Sequence, residues 1–285
     1  MNKNVPAVQA AVETLTPTKK LKQETVDPSL PVVSDELAEM LGGVGTGLEH
    51  VRAKDVLIPR LTILQGLSPQ VKPQHALYDE NARVGQIYDV ALSQIFKEVH
   101  ILPLHFVTQW LEWAPRASGK GLVAIYEEQP DPSTYTVNEK GKWMKPNGNQ
   151  IIETAQFFCL NLSAGGRPCF IPFSSTQLKK SRKWLTYATN EKVVNNGVEV
   201  TPPLFYRSYV LSTVPESNNE GDWMGWKITP DVTIADLGNF TGRLRAVKDF
   251  REKILKGEVK ADLSNVDEDA GDSRQGAQAD TGQKM

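Results

Sequence analysis

The sequence predicts an α+β domain of mainly antiparallel strands with a small barrel as its expected core. Three observations lead there. Three separate stretches have the form of β-hairpins, a single helix signal lies between the second and third of them, and an amphipathic helix closes the ordered region. At 285 residues and 40% hydrophobic content the chain can bury a real core.

Taken in order, residues 1–49 read as a disordered arm rich in Pro, Thr, Val and Lys, holding one short helix. That helix is "SDELAEML", with Ser34 as cap, and it is broken by "GGVGTG" at Gly42–Gly47. No Gly-Lys-Ser/Thr follows the glycines, so they read as a hinge and not as a phosphate loop; "SGKG" at Ser118–Gly121 fails the same test. Residues 50–257 form the β-rich domain. "VLIPRLTILQGL" and "VHILPLHFVTQWLEW" are strand-like, and Pro59 and Pro103 within them imply edges or bends. "STYTVNEKGKWM" is a hairpin turning at Glu139–Gly141, and "FFCLNLSAGGRPCFIPF" a second turning at Gly165 and Gly166. "LFYRSYVLSTV" and "DWMGWKI" make a third, joined by the polar loop "PESNNEGD". Ser174 and Gln177 have the spacing of a capping box and start a helix that runs to about Thr189. Leu178 and Leu185 lie within about 20° of each other and give that helix a narrow buried stripe. "GRLRAVKDFREKIL" repeats apolar residues at Leu244, Val247, Phe250 and Ile254, which makes it an amphipathic helix on the sheet. Residues 258–285 read as a disordered acidic tail.

Composition excludes several classes. No apolar run approaches the roughly 20 residues that span a bilayer, and the N-terminus has no signal-type h-region, so a cytoplasmic protein is expected. Cys159 and Cys169 are too few for a disulfide framework and wrongly spaced for zinc, and read as reduced, half-buried thiols. The net charge of −2 divides into −3 on residues 1–49, −4 on residues 261–285 and +5 between them. The folded part is mildly basic and its ends are acidic.

No catalytic constellation can be assembled, so a non-enzyme with no cofactor or metal is expected. His100 and His105 are five apart on a strand and point to opposite faces; G-x-S-x-G and H-E-x-x-H are absent. What recurs is an aromatic beside a cation. Lys142, Trp143 and Lys145 share a hairpin; Lys179, Lys180, Arg182, Lys183 and Trp184 share a helix; Tyr206 adjoins Arg207. Single-stranded nucleic acid needs such pairs, because bases stack on flat rings while cations neutralise phosphates. The plainer reading of the helix is a solvated face with a Trp packed on the core. Trp184 accordingly either stacks a base or anchors its helix. Trp110, with Phe106 and Leu104, reads as core, and one of Trp223 and Trp226 must face inward. Trp143 has little core to reach.

The order "IPRLTILQGLSP", "ARVGQIYD", "STQLKKSRKWL" and "YVLSTVPESNNEGDWMGWKI", followed by an acidic tail, resembles tailed-bacteriophage single-stranded DNA-binding proteins over roughly residues 55–255. The resemblance implies an OB-type core, sequence-tolerant binding in phage DNA replication or recombination, and a tail that competes with DNA and recruits replication or recombination proteins. The tail departs from the pattern by ending in Lys284 and Met285. Two other classes remain open: a structural or virion-associated phage protein using the same aromatics as interface anchors, and a DNA-processing enzyme with an unrecognised site.

Overall fold

The computed structural model describes Ser34, Glu39, His50 and residues 57–263, apart from Lys140, Glu220, Lys260, Asp262 and the side chain of Arg116. Apart from Ser34 and Glu39, the short helix "SDELAEML" lies outside the described residues, as do the glycine hinge and nearly all of the acidic tail.

The main sheet grows from one long strand, β4 (Val99–Trp113). Along one edge it pairs with β8 (Gln150–Asn161), which turns through Gly165 and Gly166 into β9 (Arg167–Ser174). Both glycines have φ near 70°, where a side chain would be strained. Helix α1 (Leu178–Asn190) follows, and the chain returns as the hairpin β12 (Arg207–Asn218) and β13 (Gly221–Thr233). β12 joins the other edge of β4 over Val99–Ile101. The connection from β4 to β8 is an insertion that holds β5 (Leu122–Tyr126), β6 (Thr136–Val137) and β7 (Trp143–Met144). The outcome is a curled, half-barrel antiparallel sheet with two helices.

A second sheet of β1 (Leu61–Ile63), β2 (Ile87–Asp89) and β3 (Gln94–Phe96) stands between the two ends of the curl. On one side the Phe170 amide donates to the Pro59 carbonyl at 2.9 Å. On the other, the Gln65 side chain exchanges two 2.9 Å bonds with the Met224 backbone, as a neighbouring strand would. β10 (Val193–Asn195) and β11 (Val198–Val200) form a separate small hairpin.

Two cores result because β8 is covered on both faces. Inside the curl Phe157, Phe173, Tyr209 and Trp226 surround Trp184. On the outer face Leu104, Phe158, Leu160 and Phe170 meet Val247 and Phe250 of α2 (Phe240–Leu255). Leu263 is buried in this outer core, so packed chain runs past residue 257. Among the described residues no helix is long and apolar enough to cross a membrane.

Several local expectations change. The first strand-like run yields three strand residues, Leu61–Ile63. The loop "PESNNEGD" is mostly strand: pairing continues to Asn218 opposite Gly221. Pro103 marks a bend, where the β4–β8 register shifts between Pro103 and His105. The shift sends Leu104 to the outer core and Phe106 to the inner one, so the two do not share a face. The capping box does not form. Ser174 makes no side-chain cap and a 3-10 turn (Ser175–Gln177) precedes the helix. Gln177 instead donates to Glu216 at 3.0 Å and accepts from the Trp226 amide at 2.9 Å. Cys159 and Cys169 face each other across the hairpin and are fully buried, not half-buried; burial pushes both thiols up.

Candidate functional site

Residues directly opposite each other in an antiparallel ladder project to the same side. Ala124, Glu112, Ile151, Trp143 and Val137 therefore form one row across β5, β4, β8, β7 and β6. The row beside it holds Tyr126, Trp110 and Glu153. This face continues the inner surface of the curl, since Phe106 opposite Phe157 lies further along the same side. Helix α1 borders it. The Arg182 guanidinium lies 3.8 Å from the Glu153 carboxylate.

At the centre sits Glu112, almost wholly buried among donors. Its carboxylate accepts from the Tyr126 hydroxyl at 2.5 Å, the Lys145 ammonium at 2.8 Å and the Asn149 amide at 2.5 Å. Burial opposes its ionisation, but the bonds from Lys145, Tyr126 and Asn149 outweigh it and hold the carboxyl at about 2. Lys145 also lies over the Tyr126 ring, 5.0 Å from its centroid. The network is internally neutral and ties the β6–β7 hairpin to β4 and β5.

The hairpin turns where its sequence implies. Asn138 and Lys142 pair through their backbones at 2.9 Å, and Gly141 takes the positive φ of 71°. Trp143 stacks on Tyr135 with ring centroids 4.9 Å apart and planes 12° apart. Both rings are half-buried, which leaves part of the pair facing solvent. Trp110 is half-buried too, and it makes no ring contact among the described residues. Its indole N–H is buried without a hydrogen-bond partner.

The ten residues singled out by sequence divide. Lys142, Trp143 and Lys145 lie together on this face, with Lys145 committed to Glu112. Trp184 is 0% exposed, stacked on Phe157 at 4.1 Å and met edge-on by Phe173 and Tyr209. Its ring faces are covered, so it anchors the helix and offers no surface to a base. Lys180 is paired with Glu216 at 2.6 Å and Arg182 with Glu153. Lys183 lies over Tyr187, and Lys179 is exposed. The buried face of α1 is centred on Ser181 and Trp184, with Leu178 and Leu185 only partly covered. Arg207 and half-buried Tyr206 stand elsewhere: Arg207 is bonded by its guanidinium to Glu191 at the end of α1 and to the Asp231 carbonyl at 2.6 Å. That is a structural pin. Sequence reasoning missed Glu112, Tyr126 and Asn149, because their meeting depends on strand register. Among the described residues no group of three or more His, Cys, Asp and Glu is gathered to hold a metal.

Fold and face together define a small half-barrel protein with an aromatic surface on the insertion between its first two long strands. The chain belongs to the Pam3 phage gp34-like protein family, whose profile matches residues 29–260, and is thus a protein of phage type. It is also similar to the methionine–tRNA ligase of Caulobacter sp. (strain K31), at 25% identity over 205 residues, which covers 62% of this chain and 34% of the ligase. The chain spans about a third of the length of that curated relative, 34%. No solved structure matches it at a significant level.

Proposed function

We propose that this protein binds single-stranded DNA with little regard to sequence, in phage replication or recombination, on an OB-type core. Connectivity supports the core. Three long antiparallel strands (β4, β8, β9, with the β5–β7 insertion between the first two), then a helix, then a hairpin returning to the free edge of the first strand follow an order compatible with a partly open Greek-key barrel, which supports the reading. Such barrels bind oligonucleotides on the second and third strands and on the loops after the first and fourth. The loop after the first strand is here residues 114–149, and it carries the stacked pair Tyr135 and Trp143. That placement is the observation on which the reading rests. The reading includes no catalysis, a location in the host cytoplasm, and contact with replication or recombination proteins through the acidic C-terminal segment.

The test is binding of the full chain to labelled oligo-dT, a mixed-sequence single strand and the matching duplex. Comparable affinity for the two single strands, much weaker affinity for duplex and no turnover are expected. Absence of single-strand binding, or a preference for duplex, contradicts the proposal. A virion-associated role is the second reading. Val123 and Ile125, 50% and 46% exposed on the edge strand β5, favour it. Failure of every oligonucleotide to bind would select it.

A further inference from the structure

We infer that the bound strand crosses β8 and β4 from the β6–β7 hairpin toward α1, with Trp110 as a second base-stacking position beside Trp143. The inference rests on the single-stranded DNA reading and extends it from one aromatic pair to a path. Register puts Trp110 and Trp143 on one side of one sheet, in neighbouring rows and two strands apart. At strand spacings of about 4.8 Å and about 3.4 Å per residue, their backbones are separated by about 12 Å. That is several times the ~3.4 Å rise of stacked bases, so the two rings hold different nucleotides.

The state of the Trp110 indole favours a ligand role over a packing one. Trp113, Trp184 and Trp226 are each within a core, and the Trp223 N–H donates to Glu216 at 3.0 Å; the Trp184 N–H also lacks a partner, so what sets Trp110 apart is its exposure and the absence of a ring contact. Trp110 remains half-buried, without a ring contact among the described residues and without a partner for its N–H. Its cross-strand neighbours are Tyr126, held by Glu112, and Glu153, beside Arg182. The floor between Trp110 and Trp143 is Ile151 and Glu153 of β8, with Glu112 beside it on β4; Lys145 balances Glu112 and the Arg182 guanidinium lies 3.8 Å from Glu153, so a phosphate on this path meets each carboxylate beside a cation.

The experiment compares Trp110→Leu, which keeps apolar bulk, with Trp110→Phe, which keeps a flat ring, in the full-length protein. Affinity for oligo-dT of increasing length is measured by fluorescence anisotropy at fixed salt, with a thermal melt to confirm folding. Trp110→Leu is expected to weaken binding of long oligonucleotides about 5- to 150-fold, one stacked base in magnitude. The shortest oligonucleotides that bind, held at Trp143 alone, should lose much less, and Trp110→Phe should stay within a few-fold of wild type at every length. A folded Trp110→Leu protein with wild-type affinity at all lengths overturns the inference while leaving the functional reading intact. Failure of the wild type itself to bind any oligo-dT overturns both.

Discussion

Helix α1 and the β6–β7 hairpin carry the same local signature, a lysine followed by a tryptophan among further cations, and use it in opposite ways. On α1, Lys183 and Trp184 sit on an element laid against β8, β9 and β13, and the indole fills the middle of the inner core. The cations around it are drawn into contacts with Glu216, Glu153 and Tyr187. On the hairpin, Lys142 and Trp143 sit beside and on a two-residue strand at the margin of the sheet, and among the described residues the indole's ring contact is with Tyr135. The difference teaches that an aromatic beside a cation is not itself a binding signature. What decides is whether the element bearing it has a core within reach.

The largest effect should come from exchanging the two rings for alanine. Trp184→Ala empties the centre of a core and should cost about 3–5 kcal/mol in urea unfolding. Trp143→Ala, which loses one stacking partner at the sheet margin, should cost about 1 kcal/mol. Equal losses would erase the distinction between the two regions.

Next comes the tie that holds the hairpin down. Replacing Glu112 by Ala removes the acceptor for Lys145, Tyr126 and Asn149 and should destabilise the fold by about 2–3 kcal/mol. The same carboxylate sets a pH dependence. Its folded value lies below its ordinary 4.5, at about 2, so its stabilisation is complete above the ordinary value and is lost as pH falls toward 2. Unfolding followed from pH 6 to pH 2 should show this acid-side loss in the wild type, and a smaller one in Glu112→Ala.

The smallest effect concerns salt. Two of the four cations on α1 are already paired, Lys180 with Glu216 and Arg182 with Glu153. With Lys179 and Lys183 left to meet phosphates, alanine at all four positions should reduce the slope of log K against log salt by about 1.4, at about 0.7 per contact. A drop near 2.8 would mean, on the same scale, that the ion pairs open for DNA. An unchanged slope would leave α1 a solvated face.

Much of the fold was legible because it follows from short-range rules. Turn residues placed the hairpins at Gly141 and at Gly165–Gly166, and apolar spacing placed Val247 and Phe250 on the buried side of α2. What escaped was set by register and tertiary contact. The bulge after Pro103 moves Leu104 away from Phe106, and no periodicity in "ILPLHF" announces it. Gln177 is drawn from a local cap to the hairpin of Glu216 and Trp226 because those groups need partners at that point. The site was legible in part. Trp143 could be found because a tryptophan in "KGKWMK" has little apolar company, whereas Trp110 read as core with Phe106, and only the sheet shows it half-buried, two rows from Phe106 of the inner core.

The most direct measurement is the intrinsic tryptophan emission of the wild type and of Trp143→Phe during titration with oligo-dT at fixed salt. With Trp184 sealed in the core and Trp143 on the surface, saturating oligo-dT should quench wild-type emission and lose a large part of that quench in Trp143→Phe. Trp143→Ala should in parallel bind about 1–3 kcal/mol more weakly. Unchanged wild-type emission at saturation, or full quenching and full affinity without the Trp143 ring, would contradict the claim that the hairpin is where the DNA sits.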